Sequence, residues 1–356
     1  MRTRTTNWIA VLAAALMCLG GWVADADAAS RSRTRVSSAR KGTAVKARPK
    51  VSKARKRATR TRISSLRRSR LARARARHTQ WLEAQQPRYK TDASGALVPD
   101  VRAAAAIIYN PETGQVLWEA NSLDKRSIAS ITKVMTAAVV LEDDPDLSQV
   151  VVIDRADTYA ANHTYLRPKD RVSIGDLLHL TLIASDNAAA RVLARISPHG
   201  SAGFIVRMNE KAAELGLTST HYADPSGLLS ANVSSAYDMA RLIAYVGEDE
   251  RIAGIMRKAN HSIQAGSRTI NIHSTNQLVM KGDVDVLGGK TGFIRAAGYC
   301  LATLLRLPQG GPQVAVVVLG ARSNAGRFWE TRHLFNWLAA KAQEIFATPV
   351  QAAAVS

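Results

Sequence analysis

The sequence predicts an α/β domain: one five-stranded antiparallel sheet flanked by helices, with a helical lobe inserted in mid-chain. Three observations point to it. Two strand-like runs open the folded part and three close it. The stretch between them carries helical periodicity and helix caps. The late runs follow one another across short turns, which favours antiparallel pairing because parallel strands need long crossovers.

Residues 1–28 read as a signal peptide rather than as part of that fold. "MRTRTTNW" is basic, "IAVLAAALMCLGGWV" is apolar, and "ADADAAS" offers small-residue cleavage positions near Ala26 or Ala28. A membrane anchor is the alternative, although the run is short against the ~20 apolar residues of a span. Cleavage would remove Cys18 and leave Cys300 alone, with no internal disulfide to form. Cys300 lies in the apolar run "GYCLATLLR" and reads as a buried structural thiol.

The formal net charge of +21 is concentrated in one segment, because residues 31–77 hold 20 Lys or Arg and no acid. With no aromatics and few large apolar residues, that arm cannot bury enough surface to offset its ordering entropy, so it is expected to be disordered. It reads either as a polyanion-binding arm or as a solvated spacer. Residues 79–98 continue as linker, which gives a basic arm and linker over 29–98, a folded domain over 99–346 and a tail over 347–356.

Within the domain, "AAAIIY" (104–109) and "QVLWEA" (115–120) are strands joined by the turn "NPETG". A helix over 130–142 places Ile131, Val134, Met135, Ala138 and Leu141 on one stripe. "SIGD" (173–176) has capping-box spacing and opens "LLHLTLIAS". "SAGFIVRMNEKAAELG" is a helix closed by Gly216, and "SAYD" (235–238) opens another closed by Gly247. The strands "DVLGGKTGF", "AGYCLATLLRL" and "QVAVVVLGA" follow, and an amphipathic helix over about 325–346 ends the domain.

Three S-x-x-K matches occur: Ser38 to Lys41, Ser122 to Lys125, and Ser130 to Lys133. Ser38 lies in the arm, with nothing folded to hold Lys41 against it. Ser122 lies in the polar loop "ANSLDKR". Only Ser130 starts a helix, where positions i and i+3 share a face and the free N–H groups favour developing negative charge. A buried lysine near another cation loses pKa and can act as a base. Ser185-Asp186-Asn187 lies between two helix patterns, and Lys290-Thr291-Gly292 opens a strand. Taken singly, Ser185 and Asn187 would be helix caps and Lys290-Thr291-Gly292 a strand entry; S-x-N also occurs at Ser230–Asn232 and Ser274–Asn276, whereas K-T-G occurs once. No H-E-x-x-H or G-x-S-x-G is present, and the eight histidines are scattered and read as surface or core residues.

In order and in these settings, the three motifs resemble those of the penicillin-recognising serine enzymes. "SIASITKVMTA", "HYADPSGL", "HSTNQLV" and "GGKTGFIRAAGYCLATLLR" narrow the resemblance to the low-molecular-mass penicillin-binding proteins. These are D-alanyl-D-alanine carboxypeptidases and endopeptidases, and the soluble endopeptidase type is the most similar. The likeness covers roughly residues 100–345 and leaves out the arm and the extra C-terminal β domain of many carboxypeptidases. It implies the β-lactamase/transpeptidase-like fold and cleavage of peptidoglycan peptides through an acyl-enzyme, with β-lactams as covalent inhibitors. It implies Ser130 as nucleophile, Lys133 as its base and Ser185 as proton relay to the leaving amine. Asn187 would hold the peptide amide, Lys290 would keep the site electropositive and help depress Lys133, and Thr291 would bind the substrate carboxylate. Gly292 would admit the substrate backbone, and the N–H groups of Ser130 and Phe293 would form the oxyanion hole. No metal or cofactor is implied. The implied location is the periplasm or another exported position in the envelope, where anionic polymers could meet residues 31–77. The alternatives are a class A-like β-lactamase, whose deacylating glutamate has no counterpart in "STHYADPSGLLSANV", and a non-catalytic polyanion-binding envelope protein.

Overall fold

Alternation along the strands decides how the layers stack. In "QVAVVVLGA", Val314, Val316 and Val318 fall in one apolar cluster and Ala315, Val317 and Leu319 in another, and all six are buried. A strand buried on both faces must lie between two layers. The computed structural model, which describes residues 67–76, 79, 82 and 85–347, has that arrangement.

The strands that matter here are β1 (Ala105–Tyr109), β2 (Val116–Ala120), β3 (Asn260–Ala265), β4 (Arg268–His273), β5 (Asp285–Ile294), β6 (Gly298–Arg306) and β7 (Gln313–Ala321). The helices are α1 (Thr132–Glu142), α2 (Ile174–Leu182), α3 (Asn187–Ile196), α4 (Gly200–Glu214), α5 (Ala236–Gly247) and α6 (Asn324–Ala340). The main sheet has the order β5-β6-β7-β1-β2, with every pair antiparallel, as the sequence predicts. On one face, Ile107, Leu304 and Val317 pack with Met239 and Leu242 of α5. On the other, Ile108, Leu305 and Val316 pack with Phe328, Leu334 and Leu338 of α6. Each of these buried side chains contributes roughly 1.5–3 kcal/mol.

In the lobe, α1 packs against α2, α3, α4 and α5, and every residue from Thr132 to Leu141 is buried. The single stripe read from the sequence is therefore too narrow. Ser173 caps α2 by accepting from Asp176 N at 3.1 Å, and Ser235 caps α5 by accepting from Asp238 N at 3.0 Å, as expected. Gly216 follows α4 with φ +62°. Gly247 does not close α5 in a left-handed turn. It is the last helical residue, and a β-carbon there would lie 2.5 Å from Leu304 Cδ2, so close packing on β6 explains the glycine.

Four other expectations change. The lobe is not all helical, since β3 and β4 form an antiparallel hairpin with Ile263, Ala265, Ile270 and Ile272 buried. The final helix breaks at Lys341, and a separate helix, Ala342–Ala347, follows. The linker contains a hairpin of Tyr89–Thr91 with Leu97–Pro99, closed by an Asp92 carboxylate that accepts from the N–H groups of Ser94 and Ala96, each at 2.9 Å. Residues 67–76, expected to be disordered, are helical and exposed, because Arg, Ala and Leu are strong helix formers even where nothing is buried. Residues 1–66 and 348–356, with the signal segment and Ser38, lie outside the described residues.

Candidate active site

Ser130 sits in a single 3-10 turn, Ala129–Ile131, immediately before α1. Ala129 has φ +49°, a conformation that L-residues rarely adopt and that costs ~1–3 kcal/mol. Two glycines let the surroundings hold that turn. A β-carbon on Gly227 (φ +79°) would lie 2.1 Å from Ala129 O, and one on Gly292 would lie 2.6 Å from Ile128 O and 3.2 Å from Ser130 N. The Ser130 turn is thus clamped between the loop at Gly227 and the edge of β5.

One helical turn on, Lys133 is fully buried. Its Nζ donates to Ser130 Oγ at 2.9 Å, to Asn187 Oδ1 at 2.6 Å and to the Ser226 carbonyl. Three acceptors match the three protons of an ammonium. In the neutral amine, two of them still take N–H protons while the lone pair faces the Ser130 hydroxyl. Burial lowers the Lys133 pKa to about 7, against the opposing pull of the Asp224 and Asp186 carboxylates. Burial is thus the largest cause of the lowering.

The Ser226 carbonyl is held in place by Asp224. That carboxylate accepts from the N–H groups of Ser226 (3.1 Å), Gly227 (3.2 Å) and Leu229 (3.2 Å), and from the Ser226 hydroxyl and Asn232 Nδ2. Burial pushes its pKa up, but these donors outweigh burial and leave it lowered. Thr136 Oγ1 donates to Pro225 O at 2.6 Å and fixes the same loop to α1. Sequence reading quoted "DPSG" but gave these residues no part. The run of Asp, Pro, Ser and Gly was the available sign of a turn.

Ser185 has φ +60° in the tight link between α2 and α3. The next residue, Asp186, caps α3 through Ala189 N at 3.0 Å and accepts from Tyr165 N at 2.6 Å and Thr164 Oγ1 at 2.9 Å. So of the three motif residues, it is Asp186 that serves as the cap. Asn187 Nδ2 donates to Ala161 O at 2.8 Å, which aims its oxygen at Lys133.

From the sheet side, Lys290 Nζ donates to Ser185 Oγ at 2.8 Å and to Thr291 O at 3.0 Å. Burial lowers its pKa well below the ordinary value, and Lys133 and Arg327 lower it further. The Thr291 and Thr275 hydroxyls are 2.6 Å apart. Phe293 is half exposed and stacks on Tyr299 with ring centroids 4.2 Å apart. Arg327, which sequence reading missed, donates from Nη1 to Gly292 O at 3.0 Å and to Cys300 O at 3.1 Å. It comes from α6, far along the chain, and nothing local marks it. Cys300 is buried, and burial raises its thiol pKa to about 11, in keeping with a structural role.

These groups meet in a cleft of about 210 Å³ lined by Ser130, Ser185, Asn187, Thr275, Thr291 and Arg327, among others. A roomier cavity of about 400 Å³ beside Leu141 and Tyr245 holds none of the motif residues. The decoys lie elsewhere. Ser122 is buried and donates to Glu119, and Asn232 and Asn276 hold a loop and cap a short helix. His163, an exposed residue, lines the cleft, with Nε2 donating to Ala184 O at 3.0 Å.

The profile of the D-alanyl-D-alanine carboxypeptidase family matches residues 92–323. The chain is 32% identical to the D-alanyl-D-alanine endopeptidase of Escherichia coli (strain K12), over 74% of this chain and 84% of that protein. It is 31% identical to the D-alanyl-D-alanine endopeptidase of Pseudomonas aeruginosa, over 72% and 83%. Among solved structures, it is similar to the Streptomyces K15 DD-transpeptidase, with a TM-score of 0.64 and 27% identity over 70% of this chain and 99% of that one. It is similar also to the D-alanyl-D-alanine carboxypeptidase of Mycobacterium tuberculosis H37Rv, with a TM-score of 0.64 and 29% identity over 74% and 97%.

Proposed function

The chain belongs to the D-alanyl-D-alanine carboxypeptidase family and is a D-Ala-D-Ala peptidase of the penicillin-binding fold, and we propose that it works through Ser130, Lys133 and Ser185 as an endopeptidase on peptidoglycan cross-links. The observation that carries the catalytic assignment is the buried Lys133 amine, 2.9 Å from Ser130 Oγ and poised to be neutral near pH 7. Its lone pair takes the Ser130 proton as Oγ attacks the D-alanyl carbonyl. The Ser130 N–H, close beside the Gly292 backbone, and the Phe293 N–H stabilise the oxyanion. Ser185, held by Lys290, gives a proton to the leaving amine as the C–N bond breaks. The proton that Lys133 took then replenishes Ser185, which leaves Lys133 neutral; water attacks the acyl-enzyme as Lys133 takes its proton, and Lys133 returns that proton to Ser130 Oγ as the ester C–O bond breaks.

Asn187 orients Lys133 and meets the peptide amide. Thr291 binds the substrate carboxylate, and Gly292 leaves the β5 edge open to the peptide backbone. A carboxypeptidase differs only in releasing free D-alanine. The endopeptidase reading rests on the relatives named endopeptidases, of which this chain covers 84% and 83%. Digestion of purified cross-linked and uncross-linked muropeptides tests it. Release of monomers from dimers is expected; release of D-alanine alone would make the enzyme a carboxypeptidase. β-Lactams should acylate Ser130 and persist, because Asp224, the one acid in the loop where a class A β-lactamase has its glutamate, is consumed by loop hydrogen bonds.

The export reading rests on residues 1–28, and no helix among the described residues is long and apolar enough to cross a membrane. In the envelope, residues 31–77 would hold anionic polymers through salt-sensitive contacts, since exposed charges are screened over ~8–10 Å. Deleting them should reduce sedimentation with cell-wall sacculi at low salt and leave turnover of a soluble muropeptide unchanged. Unchanged sedimentation would make the arm a spacer.

A further inference from the structure

Away from the cleft, where α2 meets the β3–β4 hairpin, three side chains of metal-ligand type converge. The ligand atoms of Asp176, His179 and His261 all lie within 4.8 Å of one another. We propose that these residues form a binding site for a divalent transition metal ion, typified by zinc, that braces α2 against the hairpin.

The orientation of each ligand is already set. Asp176 and His179 share a face of α2 at i and i+3 spacing. His179 Nδ1 lies 2.7 Å from the Gly175 carbonyl, which can only accept, so Nδ1 carries the proton and the lone pair sits on Nε2. A backbone carbonyl on the far nitrogen is the usual support for a metal-binding imidazole. Gln264 N donates to Asp176 Oδ2 at 3.2 Å, and Asp176 Oδ1 lies 3.5 Å from His261 Nε2. The two imidazoles stack with centroids 3.9 Å apart and planes 18° apart. Zinc takes His nitrogen and carboxylate oxygen at ~2.0–2.2 Å, so tetrahedral ligand atoms stand about 3.3 Å apart. The three atoms already lie within 4.8 Å of one another, so the approach to that spacing is short. Water would complete the shell.

A cation already uses this lone pair. Lys258 Nζ donates to His179 Nε2 at 2.8 Å. Metal binding must displace that ammonium, and the exposed lysine can swing into solvent.

The location gives the site a consequence. α2 runs directly into Ser185, and β4 runs directly into Thr275, whose N–H donates to Ile183 O at 3.1 Å. A metal joining α2 to the hairpin would stiffen the two segments that deliver these hydroxyls to the cleft.

The test uses the full-length chain, stripped with chelator and titrated with zinc by calorimetry and thermal melting. One zinc per chain is expected. The melting temperature should rise by about 5 °C at a hundredfold excess over Kd. His179→Gln/His261→Gln should lose both signals while still labelling with fluorescent penicillin; should that variant not fold, Asp176→Asn replaces it. Lys258→Met, which removes the competing ammonium, should bind zinc severalfold more tightly. Absence of a zinc-dependent heat in the wild type, equal uptake by the histidine variant, or weaker binding by Lys258→Met would overturn the proposal.

Discussion

The hydroxyls of Thr275 and Thr291 lie 2.6 Å apart, one from the loop after β4 and one from β5, and both line the cleft. One proton is shared between them, which leaves the other free to point at a ligand. A pair of hydroxyls beside a buried Arg327 suits a carboxylate. Thr275→Val should therefore raise KM for substrates with a free carboxylate about 10- to 100-fold, the value of a hydrogen bond to a charged group. Thr275→Ser should restore it. An unchanged KM in Thr275→Val would remove Thr275 from substrate binding.

Ser130→Ala should abolish both fluorescent penicillin labelling and peptide cleavage. Ser122→Ala should keep both, because Ser122 donates to Glu119 and has no lysine partner among its hydrogen bonds. Labelling that survives in Ser130→Ala would point to another nucleophile.

Lys133→Ala should slow acylation by ~10²–10⁴, the range of general-base help. The sign of the pH effect follows from its pKa of about 7. Below that value the amine is protonated and cannot accept from Ser130. The wild-type acylation rate should thus climb as pH rises from 5 to 8 and then level off. Stopped-flow acylation of Lys133→Ala should be slow and lack this climb; a variant with the wild-type profile would exclude Lys133 as the base.

Gly227→Ala should be damaging although Gly227 bears no functional group. Its φ is +79°, and the new β-carbon would lie 2.1 Å from Ala129 O, so the Ser130 turn must move. We expect a lower melting temperature and at least a tenfold loss in acylation rate, as misplacement of a reacting group implies. Wild-type values in both measurements would show that the turn is not clamped from this side.

The parts of the site legible in the sequence were those whose chemistry fixes residue type at short spacing. Ser130 with Lys133 is such a pair, as are Ser185 with Asn187 and Lys290 with Gly292. Their mutual arrangement came only through the resemblance. Arg327 was invisible because its partners, Gly292 O and Cys300 O, are backbone atoms 35 and 27 residues away. The Ser226 carbonyl has no side-chain signature at all. In the fold, the five strands announced themselves through long apolar runs. The β3–β4 hairpin did not, because its alternation, "NHSIQAGSRTINIH", mixes polar residues with only a few apolar ones facing inward.

Two lysine amines with no carboxylate bonded to either are held in the interior at Lys133 and Lys290, so protonating either one works against the fold that carries it. Both have pKa values below those of the unfolded chain, so the unfolded state binds more protons between the two sets of values. The destabilisation is complete below about pH 7 for Lys133 and fades as pH climbs toward 10.5. Mildly acidic surroundings would therefore weaken the enzyme twice, by protonating the proposed base and by loosening its core.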